Sequence, residues 1–172
     1  MDYRDLRRPL ALAACLIPAF AGAISKSATI GFNALVLPAC VAGGVNLSTP
    51  GQFDPLSFGT HYSLSATVTA LGGAGSGGVR VNCVANVPYK VLIAGGSSGN
   101  PSARRMVGPG AATIAYNLYT SSTYATVWDN VTGVSGTGNG ADQWLPVYGR
   151  VPAQSTPAPG AYVDTLTVTV VW

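Results

Sequence analysis

Few residues in this sequence could begin an argument for catalysis. There is one histidine, His61, and no glutamate. A Ser–His–Asp arrangement needs a base, an orienting carboxylate and one chosen serine, and the spacing selects none of the many serines. Gly95-Gly96-Ser97-Ser98-Gly99 matches the G-x-S-x-G pattern of a nucleophile elbow and follows a strand-like run. The elbow also needs a helix directly after the serine. Asn100-Pro101 and a polar stretch follow instead, so the run reads as a glycine–serine turn. His61, beside Tyr62, reads as a surface or packing residue. Asp54, Asp129, Asp142 and Asp164 are scattered and build no calcium loop or other metal cluster. The glycine-rich residues 72–78 lack the Lys-Ser/Thr of a phosphate loop and read as a hairpin turn. Trp128, Trp144 and the tyrosines could line a carbohydrate site, with core packing as the reading adopted. The sequence thus points to a protein without cofactor or metal, and not to an enzyme.

The composition says what kind of scaffold carries these residues. Charged residues make up 9%, against about a quarter in an average soluble domain. Gly and Pro punctuate the chain every ten residues or so, and no long helical pattern follows residue 23. Short strands and many turns imply an all-β sandwich. The net charge of +3 is too weak to argue for nucleic acid, and Arg104-Arg105 is the only basic pair after the N-terminal segment.

The first 23 residues read as an export leader. Arg4, Arg7 and Arg8 form a positive start, residues 10–20 an apolar run, and Ala21-Gly22-Ala23 a cleavage site. The apolar run is too short to span a membrane. Leu12-Ala13-Ala14-Cys15 offers a lipoprotein alternative, but the apolar run continues past Cys15 to Phe20. Cleavage leaves Cys40 and Cys83. An even pair in an exported chain reads as one disulfide, the alternative being two separate buried thiols. Closing that loop stabilises by about 4 kcal/mol on a chain-entropy argument.

Strands are expected at residues 63–71, 79–84, 89–94, 112–119 and 144–151, with short ones at 45–47 and 127–128. Residues 95–110 are expected to form an exposed excursion and residues 134–141 a mobile loop. The clearest strand is residues 161–172. Tyr162, Asp164, Leu166, Val168, Val170 and Trp172 share one face, and Thr165, Thr167 and Thr169 the other. On this pattern alone the segment fits either an ordinary edge strand of a complete sandwich or the rim of an incomplete one. Residues 24–39 form another extended segment, with Ile30, Phe32, Ala34 and Val36 alternating on one face and Leu35 and Leu37 on the other.

These pieces also carry a family pattern: Cys40, LSFG at 56–59, VNC at 81–83, YKVLIAGG at 89–96 and RRM at 104–106. YNLY at 116–119, Trp128, VYGRVP at 147–152 and GAYVDTLTVTV at 160–170 complete it. In order and spacing they resemble the spore coat U family, whose members include the Csu-type pilins of archaic chaperone–usher pili. Two departures are Asp129, where the family has Gly after the Trp, and FGTHY at 58–62, one residue longer than F-G-x-Y.

The resemblance implies an incomplete immunoglobulin-like sandwich completed by donor-strand exchange. A periplasmic chaperone would hold the open groove until an outer-membrane usher catalyses exchange with the next pilin subunit. The expected organisation is a leader at residues 1–23, a donor segment at 24–39 and the sandwich domain at 40–172. Ile30, Phe32, Ala34 and Val36 would fill the neighbour's groove, or Leu35 and Leu37 in the opposite register. Leu166, Val168, Val170 and Trp172 would form the groove wall and chaperone-binding strand.

The implied function is a structural pilus subunit exported through the periplasm to the cell surface, serving adhesion and biofilm formation. A single domain suits a shaft or adaptor position. The alternatives are a secreted spore-coat or matrix protein, or a self-complemented glycan-binding sandwich.

Overall fold

The structure is a computed structural model, and it describes residues 39–43 and 51–172. Eleven short strands are described. They are β1 (Cys40–Ala42), β2 (Val68–Gly72), β3 (Val79–Cys83), β4 (Pro88–Ile93), β5 (Arg105–Val107) and β6 (Thr113–Ala115). The rest are β7 (Asn117–Tyr119), β8 (Val134–Thr137), β9 (Asp142–Leu145), β10 (Val147–Val151) and β11 (Val168–Val171). All pairings are antiparallel.

Two long ribbons organise these strands. In the first, β3 and β4 run against β9 and β8. The pairing continues through the connection between them. Asn86 N–H donates to the Gly138 carbonyl (2.9 Å), Gly138 N–H to Val87 (2.8 Å) and Gly140 N–H to Cys83 (3.0 Å). The far edge of this ribbon is covered by β1 beside β3 and by β11 beside β4. In the second, residues 113–119 form one extended run that changes partner at Tyr116. β6 pairs with β5, while β7 pairs with β10, which also pairs with β2.

Alternation explains the change of partner. Tyr116 N–H donates to Arg104 on one edge, whereas both backbone groups of Ala115 bond the Gln154 side chain on the other. Gln154 thus extends the β10 edge beyond the last strand residue. The core lies between the ribbons: Val79, Val81, Val91 and Ile93 from the first meet Leu118, Val147 and Val151 from the second.

Several expectations change. The 63–71 strand shortens to β2, because Leu64 is held instead by Gln154 and Thr156. The 144–151 strand divides into β9 and β10 around Pro146, which has no N–H to donate to a ladder. Residues 127–128 make one isolated bridge, Val127 with Tyr119. The 95–110 excursion contains β5. Residues 134–141 are not a loop throughout: 134–137 form β8 on β4. The glycine content that suggested a loop has a packing cause, since a Cβ on Gly136 would lie 2.5 Å from the Tyr89 ring. Residues 45–47 lie outside the described residues.

Candidate functional site: an open groove beside a sealed core

Cys40 faces Cys83 across β1 and β3, and the two form a disulfide with a Cα separation of 4.0 Å. Export chemistry and register therefore agree on this cross-link. It fixes residue 40 to the first ribbon. Ile30, Phe32, Ala34 and Val36 lie outside the described residues.

A groove of about 640 Å³ opens between residues 51–58 and residues 162–168. Its floor is the apolar core itself, including Val79, Ile93, Leu118 and Val147. Among the described residues, both rims are extended chain without a ladder partner along most of their length. In the first rim, Phe53, Leu56 and Phe58 point half-buried toward the core, but residues 52–57 make no backbone hydrogen bond among the described residues. The Phe58 ring meets Tyr116 edge-on at 5.9 Å. This rim can lie close to β10 because residue 149 is glycine. A Cβ there would sit 2.8 Å from the Phe58 ring and 2.9 Å from Leu56.

The second rim is the approach to β11. Val163 exchanges two backbone bonds with Val107, and the Thr167 carbonyl accepts from Ala94 N–H at 2.9 Å. Ile93 N–H points the other way, to the Asp129 carbonyl. The Val168–Ile93 pair is therefore a non-bonded one, and Val168 turns its N–H and C=O to the opposite edge. Among the described residues β11 has β4 on one side and no strand on the other. Leu166 and Val168 line the groove, and Val170 is half-buried against the core. Trp172 is 56% exposed and is not part of the groove lining.

Asp164 sits where the rim meets the sealed core. Its carboxylate accepts from the Tyr116 hydroxyl (2.8 Å), Ser97 N–H (2.8 Å) and Thr165 N–H (3.0 Å). That accounts for an acidic residue on the inward parity of an apolar strand. Burial first, and then the Asp164 bond, push the Tyr116 phenol well above its ordinary range. The glycine–serine run is a short 3-10 turn at Gly96–Ser98. Ser98 Oγ closes the turn on the Gly95 carbonyl, and Ser97 Oγ donates across to the Arg105 carbonyl on β5. The His61 ring contacts the Phe58 carbonyl at 2.7 Å within its own exposed loop.

Sequence reasoning missed the most constrained residue. Arg104 is 1% exposed, and its guanidinium makes five hydrogen bonds. The acceptors are the Ala94, Pro101, Ile93 and Trp128 carbonyls and Asn117 Oδ1, at 2.7–3.1 Å. Burial lowers its pKa from the ordinary value, and the nearby Tyr116, Asp164 and Asp129 oppose that shift. Trp128 completes the seal: 1% exposed, it donates from Nε1 to the Val91 carbonyl at 2.9 Å. The next residue, Asp129, accepts three backbone N–H groups, from Val131, Thr132 and Gly133, on one oxygen. Those bonds, Val131's foremost, lower its pKa. The acid thus holds the turn into β8.

The sequence profile of the Spore Coat Protein U domain matches residues 26–169. The chain belongs to this family. No curated protein matches it. Among solved structures, one similar chain comes from the CsuC–CsuE chaperone–tip adhesion subunit pre-assembly complex of the archaic chaperone-usher Csu pili of Acinetobacter baumannii. It is 24% identical with a TM-score of 0.52, and the match covers 80% of this chain and 40% of that one. A chain of a chaperone-usher pilus structure concerned with rod uncoiling is 15% identical, TM-score 0.51, covering 92% of this chain and 99% of that one. At such identities the likeness is one of fold, an all-β immunoglobulin-like sandwich. Within that family's sandwich, the groove is a gap between two unpaired rims over an apolar floor.

Proposed function

We propose that this protein is a structural subunit of a chaperone–usher pilus, assembled by donor-strand exchange. One observation carries the reading: the groove between residues 51–58 and 162–168 is apolar at its floor and, among the described residues, unpaired along most of both rims. An added strand would bury its alternate side chains on Val79, Ile93 and Leu118 while bonding the free edge beside Val168. An unfilled edge of this kind captures other chains unless it is covered. The fold shared with chains of chaperone-usher pili supports the same reading.

In this proposal residues 1–23 are a cleaved leader and residues 24–39 the donor segment. Ile30, Phe32, Ala34 and Val36 enter the groove of the next subunit, against Leu166 and Val168, with Val170 and Trp172 continuing the same strand. The sandwich domain spans residues 40–172. A head-to-tail contact of this type generates an open fibre. A periplasmic chaperone covers the groove before assembly, an outer-membrane usher exchanges it for the donor, and the fibre at the cell surface serves adhesion and biofilm formation.

The test is deletion of residues 24–37, with the chaperone co-expressed. The chaperone-bound subunit should accumulate and no fibre should form by electron microscopy. Fibres formed by the deletion variant would remove the donor assignment. A purified monomer that is stable with no chaperone or partner would favour self-complementation.

A further inference from the structure

A second cleft, of about 570 Å³, lies on the other side of the molecule's second ribbon, away from the groove floor. It is lined by Arg105, Thr113, Ala115, Asn117, Tyr119 and Arg150 among others. The pairing register places its two exposed cations. Arg105 stands opposite Ala115, and Arg150 stands opposite Asn117. β5 and β10 flank opposite edges of the 113–119 run, as the bonds of Tyr116 and Ala115 show. The two arginines therefore bracket one strand, offset by two residues along it. Strand spacings of about 4.8 Å across and about 3.4 Å per residue put their Cα atoms about 12 Å apart. On that face Ala115 and Asn117 lie between them, and Thr113 extends the cleft beyond Arg105.

Both guanidiniums are unspent. Among the described residues the one ion pair is Arg80–Asp142, and neither Arg105 nor Arg150 has a hydrogen bond from its side chain. Arg150 is nevertheless held in place: it lies over the Tyr124 ring at 5.7 Å, and Tyr124 packs edge-on against Tyr119 at 5.4 Å. Tyr124 reaches that position with a left-handed backbone, φ 53°. For a residue with a Cβ this conformation costs about 1 kcal/mol or more.

We propose that this cleft binds the carboxylates of an acidic polysaccharide, with Arg105 and Arg150 each taking one uronate. Guanidinium forks match planar carboxylates with two parallel bonds. Consecutive acidic sugars present carboxylates on a semi-rigid chain at a spacing two arginines across one strand can meet. Tyr119, half-buried in the lining, gives the sugars' C–H groups an aromatic surface beside the cations, which a simple anion or a flexible acidic peptide does not use.

The test uses the full chain in the assembled state in which it is purified, with polygalacturonate, dextran and poly-L-glutamate as probes in a cosedimentation or biosensor assay at low salt. Saturable binding of polygalacturonate alone is expected. Arg105→Gln or Arg150→Gln should weaken it about tenfold each, the loss of one charged hydrogen-bond set. Lys90→Gln, on β4, should leave it unchanged. Thermal melting checks that each variant is folded. Absent binding, equal binding of dextran, preference for poly-L-glutamate, or an equal loss with Lys90→Gln would each overturn the proposal.

Discussion

The two halves of the sandwich treat their polar groups in opposite ways. Around Arg104 and Trp128 every donor has an acceptor, and a full cation is buried on neutral oxygens. Along residues 52–57, and on the free edge of β11, backbone groups have no partner among the described residues, in an otherwise apolar setting. The sealed half satisfies its polar groups internally. The open half leaves an apolar groove between its rims. A protein cannot leave core-facing backbone unpaired without cost, so under the proposed function the difference says where assembly energy would enter.

Removing the key of the sealed half should have the largest effect. Arg104→Met removes the donor to five acceptors, three of them in fully buried bonds that water does not readily replace. A loss on the order of 4 kcal/mol is expected, from several buried acceptors left unpaired. Arg104→Lys should recover only part, because an ammonium has three donors and no planar fork. Thermal unfolding measures both. If the Met variant melts with the parent, the two halves do not differ as described.

The next largest effect lies at the boundary of the open half. Gly149→Val places side-chain atoms where the Phe58 ring and Leu56 now lie. Residues 51–58 must lift from β10, at a cost of about 1–3 kcal/mol for overpacking. Fibre assembly should fall more than melting temperature does, since this variant deforms a rim while sparing the Arg104 cluster. Equal losses would mean the rim is not a separate element.

How much of this was legible in the sequence follows from the range of the interactions. The inward parity of residues 162–170 was, because alternation is a local signal and survives in the burial pattern. The disulfide was, because the expected leader and the cysteine count are both read locally. Arg104 was not: in sequence it is half of an Arg-Arg pair, and its acceptors come from residues 93, 94, 101, 117 and 128. The partner switch at Tyr116 was invisible, since a strand keeps one alternation whichever neighbour it has. β8 was hidden by glycines that the Tyr89 ring requires. The groove itself is an absence between two segments about 100 residues apart. Only the family pattern pointed to it.

Asp164 joins the halves, and Asp164→Ala tests that joint. It strands the Tyr116 hydroxyl and Ser97 N–H, for an expected cost of about 2 kcal/mol. Tyr116→Phe removes the same bond from its other end. A double-mutant cycle by chemical unfolding should show coupling of about 1 kcal/mol. Additive losses would mean that the hydroxyl and carboxylate act independently, and that the rim is anchored elsewhere.

The smallest expected effect is acid sensitivity of the sealed half through Asp129. Three backbone N–H groups favour its charged form, so its folded pKa lies below the ordinary 3.8. The unfolded chain binds the proton more readily than the folded one. Asp129 therefore contributes its stability fully above about pH 4, and that contribution is lost as pH falls through the lower, folded value. Asp142 shifts the same way through Arg80 and then Asn82, so it must be subtracted. In an Asp142→Asn background, melting curves from about pH 6 to about pH 2 should fall less steeply once Asp129→Asn is added. The two curves should converge at the acid end, where the carboxylate is protonated in either state. A constant offset across the whole range would show that Asp129 acts through the shape of its turn, and that its charge contributes nothing to holding β8 against the core.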